Sequence, residues 1–419
     1  QWWDPQARQN LPDRVQGDLL EALIRARQIE SCLTRQGSSG LAHRHISHEE
    51  LLAAFQKDLQ QRTNAGDIRP ATTRRFASAL QHYHAFIQEA VPPIPSPARV
   101  NREVALQFAA YLKGQLISPN GHPNTQRRRM KSCPYVLDVV RSMYAWAADP
   151  ARGHLLPVDF INPFRHAKEA HTSLVGEPDI TISMATAFLR ACDGYQLRLF
   201  APLLLYGLRA SEPCMLFHEQ LQDGWLKVEC LPGLEYTTKG QRDKWLPLVP
   251  ALEDLLNVKG PATGLIFVQR AASPKRFPLY GASLAALTEE YQRQTNGIRD
   301  AAERQRLRDS LLSQAGSLSY DHIDREFRQI HKRLGWPASA TLKDFRHLFA
   351  TCMQNAGVPD RYIQYLMGHT QGQAALVSYT HLNQVRQHYQ RASQEQMALL
   401  LACLPPAAPG APESTPAPR

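Results

Sequence analysis

From Tyr195 to Leu208 the chain is apolar on nearly every side, with Phe200, Leu203, Leu204 and Leu205 spread around the turn. A helix without a polar face has to be enclosed. The flanking sequence supplies the enclosing pieces. Ser183 to Ala191 reads as a second helix, and short β signals occupy Trp225 to Glu229, Leu234 to Thr238 and Lys244 to Val249. Gly240 between the last two predicts a hairpin. Two charged helical segments span Leu279 to Gly316. A helix carrying Ile323, Phe327, Ile330 and Leu334 follows, then helices at Lys343 to Asn355, Pro359 to Met367 and Gln384 to Cys403.

Upstream, apolar residues recur at helical spacing four times. Ser47 and Glu50 form a capping box ahead of Leu51, Phe55 and Leu59. Next come Phe76, Leu80, Tyr83 and Ile87; then Val104, Phe108 and Tyr111; then Val136, Val139, Val140, Met143, Tyr144 and Ala147. Leu19, Leu23, Ala26, Ile29 and Leu33 predict a further short helix before Gly37-Ser38-Ser39-Gly40. The resulting expectation is an α-rich, two-domain protein. An N-terminal arm (1–45) precedes an all-helical domain (46–165), a linker (166–178), a mixed, mainly helical domain with a small antiparallel sheet (179–404), and a disordered Pro- and Ala-rich tail (405–419).

The 419 residues suffice for two or three cores, and with 43% apolar and 21% charged residues the chain reads as globular. No apolar run approaches the roughly 18 residues that cross a bilayer. Gln1-Trp2-Trp3-Asp4 lacks the basic start and apolar core of a secretory signal, and lacks an initiator Met, so a trimmed, cytoplasmic, nucleoid-associated protein is expected. Seven scattered cysteines without a CxxC pair argue against disulfides and Cys-based zinc sites. His43, His45 and His48 have no Cys or carboxylate partner at ligand spacing outside the capping-box region and read as a solvated loop, and no metal or other cofactor is expected. The formal net charge of +10 favours a polyanionic partner, nucleic acid first. Arg74 and Arg75 open the second helix of the first domain, and Arg127, Arg128, Arg129 and Lys131 stand at the start of the fourth. Cations there oppose the macrodipole, and bound phosphate would relieve them; a solvated basic face fits the same residues.

Four islands carry chemistry: Tyr206-Gly207-Leu208-Arg209-Ala210-Ser211-Glu212; Thr238-Lys239-Gly240; Lys343-Asp344-Phe345-Arg346-His347; and Leu366-Met367-Gly368-His369 followed by Ser378-Tyr379-Thr380-His381. Arg346 flanks the stripe of Phe345, Leu348, Phe349, Cys352 and Met353, at the edge of a core. Singly, each has an ordinary structural reading: an Arg209–Glu212 ion pair, a solvated Lys239, a capping His369, a core Tyr379. Jointly, and in this order, they resemble the tyrosine recombinase (phage integrase) family across the second domain. The first domain, with Tyr144 to Ala147 and Asn162-Pro163, looks like that family's core-binding domain.

The resemblance implies a site-specific recombinase or integrase acting on double-stranded DNA. Tyr379 would attack a phosphodiester to give a 3′-phosphotyrosine, with strand exchange through a Holliday junction in a homotetramer, accessory DNA-bending proteins being possible partners. The residue types suit the task. A phenol with a pKa near 10 needs a cationic setting to attack at neutral pH. Guanidinium groups on Arg209 and Arg346 can fork onto phosphate oxygens. Lys239 is placed to protonate the leaving 5′-oxygen. His369 would donate to the phosphate, and Glu212 and His347 would hold the site together. Two features depart from the family pattern. Lys343 occupies a position that is usually His in the family, a Lys there being similar to telomere resolvases, and the His369 to Tyr379 spacing is slightly long, with Gln371-Gly372-Gln373 able to absorb the difference. Rival readings are a telomere resolvase, a type IB topoisomerase-like enzyme, and a catalytically inactive DNA-binding protein of the same fold. The stretch Gln384 to Leu404, with Met397, Leu400, Leu401 and Leu404, would fold on its own core in a lone subunit; the resemblance implies docking on a neighbour. The charged segment Glu289 to Ser313 exceeds what a minimal catalytic domain needs.

Overall fold

The computed structural model describes residues 2–4, 9–11, 23–24, 27, 46–118, 124–157, 160–166, 180–256, 262–337, 339–369 and 382–406. The chain separates into two compact units, Gln1–Leu174 and Val175–Arg419. Most of the predicted 18–33 helix, the 166–178 linker, Tyr379 and the tail beyond residue 406 lie outside the described residues.

The first unit begins with an antiparallel pair, β1 (Trp2–Asp4) and β2 (Gln9–Leu11). Beyond residue 46, four α-helices follow among the described residues of this unit: α1 (His48–Asn64), α2 (Pro70–Glu89), α3 (Arg102–Gly114) and α4 (Cys133–Ala148). The capping box at Ser47 forms as expected. Its Oγ accepts from the Glu50 N–H at 3.1 Å, and the Glu50 carboxylate accepts from the Ser47 N–H at 2.9 Å. The helices share one apolar core, in which the Tyr83 and Tyr144 hydroxyls hydrogen-bond at 2.6 Å. His48 is buried against Tyr83, not in a solvated loop: it opens α1 and its ring faces the core.

The basic residues sit differently from the sequence expectation. Arg128 and Arg129 form β4, paired with β3 (Leu116–Ile117), and α4 starts only at Cys133. Pro134 explains this, because proline suits the first turn of a helix and would cost a hydrogen bond deeper inside one. Pro70 fixes the start of α2 in the same way, leaving Arg74 and Arg75 beyond its first turn. The macrodipole argument for these cations therefore fails, since its reach is about one turn. Exposure remains: Arg74, Arg75, Arg127, Arg128, Arg129 and Lys131 are all at the surface.

The second unit wraps α5 (Ile182–Ala191) and α6 (Gly194–Leu205) with a three-stranded antiparallel sheet: β5 (Leu221–Gln222), β6 (Trp225–Val228) and β7 (Lys244–Pro247). Then come α7 (Pro250–Leu256), α8 (Leu284–Thr295), α9 (Ala301–Gln314), α10 (Tyr320–Arg333), α11 (Leu342–Asn355), α12 (Asp360–Met367), α13 (Leu382–Gln396) and α14 (Ala398–Leu401). The all-apolar α6 is enclosed as required: Phe200, Leu203, Leu204 and Leu205 are buried in the main core with Phe345 and Phe349 of α11. Met397, Leu400 and Leu404 are buried in the same core.

The hairpin expectation needs correcting. β6 pairs directly with β7, register Val228↔Lys244, and 234–238 is not a strand. Pro232 removes a ladder donor, and Glu235 takes a left-handed φ of +48° that ends the turn Pro232–Leu234. Residues 229–243 thus form a long loop, with Lys239 exposed on it.

Candidate active site

The end of α6 sets the first residue. Gly207 has φ +55°, and a Cβ there would lie 2.5 Å from the Phe349 ring, so the chain can pass this close to α11 only as glycine. The turn that follows presents Arg209. Its Nη1 donates to Glu212 Oε1 at 3.0 Å, its Nη2 to the Gly368 carbonyl at 2.9 Å, and its backbone N–H to Glu212 Oε2 at 2.9 Å.

Arg346 arrives from α11, at the margin of the stripe that packs on α6. It donates to the Gly207 carbonyl at 2.6 Å and to the Met367 carbonyl. Those carbonyls belong to the ends of α6 and α12, so one guanidinium ties both helix ends to α11. α12 closes at Gly368, φ +60°, with the His369 N–H on the Gln364 carbonyl at 2.9 Å. That arrangement is a Schellman cap, and it sets His369 directly after the helix.

Lys244 was not anticipated as a site residue. It begins β7, is 1% exposed, and its Nζ donates to Glu212 Oε2 at 3.0 Å. The signal was present in the strand: Lys244 and Leu246 share one face, and Leu246 is core. Glu212 is therefore gripped from two sides, by Arg209 and by Lys244.

Burial disfavours the Glu212 carboxylate, but Lys244 and the Arg209 backbone outweigh it and hold its pKa below the ordinary value. Burial pushes Lys244 down to about 8 despite Glu212. Burial, then the neighbouring Arg209 charge, push Arg346 down to about 10. A guanidinium stays protonated at neutral pH. Arg346 has carbonyl partners here, and Glu212 is already shared by Arg209 and Lys244. The cluster carries excess positive charge that a bound anion would relieve. His369, exposed beside it, has its pKa lowered by partial burial and by the charges of Arg346, Arg209, Lys244 and Lys239. A neutral imidazole still donates one N–H.

Among the sequence-predicted residues, Arg209, Glu212, Arg346 and His369 converge, and the Lys239 loop abuts them, since a Cβ on Gly240 would lie 3.1 Å from the Gly368 carbonyl oxygen. Lys343 and His347 are exposed on α11. His347 does not brace the cluster; its carbonyl accepts from Thr351 within the helix. Tyr379 lies outside the described residues. No group of His, Cys, Asp and Glu among the described residues is arranged to hold a metal, and no described helix is long and apolar enough to cross a membrane.

Lys244→Met should lower stability by about 3 kcal/mol, because it strips one counter-charge from a buried carboxylate. Urea unfolding at constant pH measures this. A midpoint equal to wild type would mean that Arg209 alone satisfies Glu212.

Two arginines and a lysine thus gather at the junction of buried helix ends and a small sheet, a cationic setting suited to an anionic ligand. Residues 180–386 match the model of the phage integrase family. The matched region of the second unit places it with that family, the tyrosine recombinases, and supports a site-specific recombinase that cuts and transfers DNA strands. Among solved structures it is similar to a lambda integrase dimer bound to a COC′ core site, at 15% identity and TM-score 0.50, over 78% of this chain and 96% of that one. It is also similar to the Tn1549 transposon integrase in complex with a circular intermediate DNA, at 15% identity and TM-score 0.50, over 81% and 99% of the two chains. At this identity the likeness establishes the fold. No curated protein matches significantly.

Proposed function

We propose that Tyr379 is the nucleophile and that the cluster around Arg346 is the phosphate seat. The Tyr379 oxygen bonds to phosphorus as the bond to the 5′-oxygen breaks, the phenolic proton passes to solvent water, and Lys239 gives a proton to the departing oxygen. Arg209 and Arg346 hold the non-bridging oxygens, with His369 donating a further hydrogen bond. Such chemistry depends mainly on alignment and charge neutralisation. The observation that carries the reading is the charge excess: Arg209 and the buried Lys244 share the Glu212 carboxylate, while Arg346 beside them donates to backbone carbonyls. Tyr379 follows His369 by ten positions, a tether able to span roughly 33 Å when extended, ample for this seat. The bond energy stays in the phosphotyrosine, so rejoining needs no nucleotide cofactor. Exchange through a Holliday junction in a homotetramer completes the proposed reaction.

The test is trapping on a duplex nicked next to the cleavage point, so that the short 5′-hydroxyl strand diffuses away. Trypsin should place the DNA on the peptide spanning 362–386, and fragmentation should place it on Tyr379. DNA attached to any other peptide rejects this assignment. Hairpin ends in the products would instead indicate a resolvase, and supercoil relaxation without junctions a topoisomerase-like enzyme.

In the first unit, we propose that Arg74, Arg75, Arg127, Arg128, Arg129 and Lys131 contact the DNA backbone. Arg75 stacks 4.4 Å over Tyr135 in the first turn of α4. Replacing both Arg128 and Arg129 with Ala should weaken duplex binding about equally for all sequences. It should also flatten the salt dependence by about 1–2 in log–log slope. A loss confined to one DNA sequence would contradict a backbone role.

A further inference from the structure

Two antiparallel strands can be joined by two residues, yet β6 and β7 are joined by 229–243. A loop of that length has to be ordered by something outside the sheet if Lys239 is to meet one oxygen atom, since each residue fixed costs about 1–2 kcal/mol of backbone entropy. The ordering comes from α8 and α9, the charged segment with no counterpart in the site. Leu231 and Leu234 are buried in an apolar cluster with Leu287 and Tyr291 of α8 and with Leu311 and Leu312 of α9. Gly233 lies so close that a Cβ there would be 2.4 Å from the Thr288 side chain. Arg304 Nε donates to the Glu235 carboxylate at 2.8 Å, and Arg308 Nη1 donates to the Glu235 carbonyl at 2.8 Å. Both arginines are mostly buried, at 19% and 14% exposed.

From this anchor the loop is carried to its tip by its own bonds. Leu231 and Tyr236 exchange backbone hydrogen bonds at 2.8 and 3.0 Å. The Thr238 hydroxyl, buried, donates to the Arg242 carbonyl at 2.8 Å and accepts from the Arg242 N–H at 3.0 Å. Asp243 accepts from the Cys230 N–H at 2.7 Å, closing the base of the loop. Lys239 lies inside both closures, four residues beyond Glu235, and Gly240 rests against Gly368.

We propose that α8 and α9 form a brace that positions Lys239, with Arg304 and Arg308 as positioning residues for the protonation of the leaving 5′-oxygen. This inference rests on Lys239 being the general acid. The brace acts on the departing group alone, leaving the phosphate seat to Arg209 and Arg346.

The experiment compares nicked trapping duplexes with oxygen or sulfur at the 5′-bridging position. A thiol has a pKa near 8.5, so it departs as the thiolate without being protonated. Lys239→Ala should cleave the oxygen duplex at least ~10²-fold slower than wild type, in line with loss of a general acid. The Arg304→Ala, Arg308→Ala double variant should be slower by about 10-fold or more on oxygen, a displaced acid being a partial loss. Both should regain near wild-type rates on sulfur. Exchanging the pair, Arg304→Glu with Glu235→Arg, should recover oxygen cleavage relative to Arg304→Glu alone. Wild-type speed of the double variant on oxygen would overturn the brace, as would equal slowing on both duplexes with Lys239→Ala rescued. Failure of sulfur to rescue Lys239→Ala would instead remove the general-acid reading itself, and the brace with it.

Discussion

Replacing Tyr379 with Phe is expected to abolish the covalent DNA adduct, lowering its rate of formation by more than about 10⁴-fold, while duplex affinity is unchanged. Phenylalanine keeps the ring and removes only the atom that bonds to phosphorus, and no hydrogen-bonding neighbour can replace a covalent nucleophile. Two other tyrosines lie close by in sequence and provide internal controls. Tyr362 is buried, and its hydroxyl donates to Gln384. The Tyr365 hydroxyl accepts from the Trp245 N–H at 3.0 Å, and burial pushes its pKa above the ordinary value, which makes its phenolate harder to form. Tyr362→Phe and Tyr365→Phe should therefore keep the adduct. Measurement is by denaturing gel with labelled nicked duplex. Adduct formation persisting in Tyr379→Phe would transfer the nucleophile to another residue.

Where side-chain period alone decides the outcome, the sequence was readable. The four helices of the first unit, the enclosed α6, and the position of Arg346 beside Phe345 and Phe349 all follow from which faces are apolar. Local signals of uneven weight explain the errors. Leu234 to Thr238 has strand composition, but Pro232 and the left-handed Glu235 convert it into a loop that leans on α8. His48 has polar chemistry, yet it sits at the inward position of α1. Lys244 was overlooked because a lysine is almost never fully buried unless paired, and its partner Glu212 stands 32 positions away in sequence, in contact only once β7 folds against the end of α6. His347 is adjacent to Arg346 in sequence but points to another face of α11, as successive helical residues must.

The charge asymmetry between the two arginines yields the second large effect. Arg209 is partly neutralised by Glu212, whereas the hydrogen bonds of Arg346 run to the Gly207 and Met367 carbonyls, leaving its full charge to act on a phosphate. Arg346→Lys should slow cleavage by about 10²–10³-fold, the usual consequence of losing one preorganised donor to a transition-state oxygen. A single ammonium cannot bridge two carbonyls on separate helix ends and also reach phosphate. The variant should acquire a pH dependence as well. A lysine at this position would meet the burial and the Arg209 charge that already depress Arg346, and nearby Lys244 titrates at about 8 even with a carboxylate in contact. Lacking such a partner, the new ammonium should lose its proton at or below that pH. Its residual cleavage should then fall as pH rises through that value, more steeply than in wild type. Single-turnover rates on the nicked duplex between pH 6 and 9 measure this. Parallel profiles for variant and wild type would mean that the Arg346 charge is not what the phosphate feels.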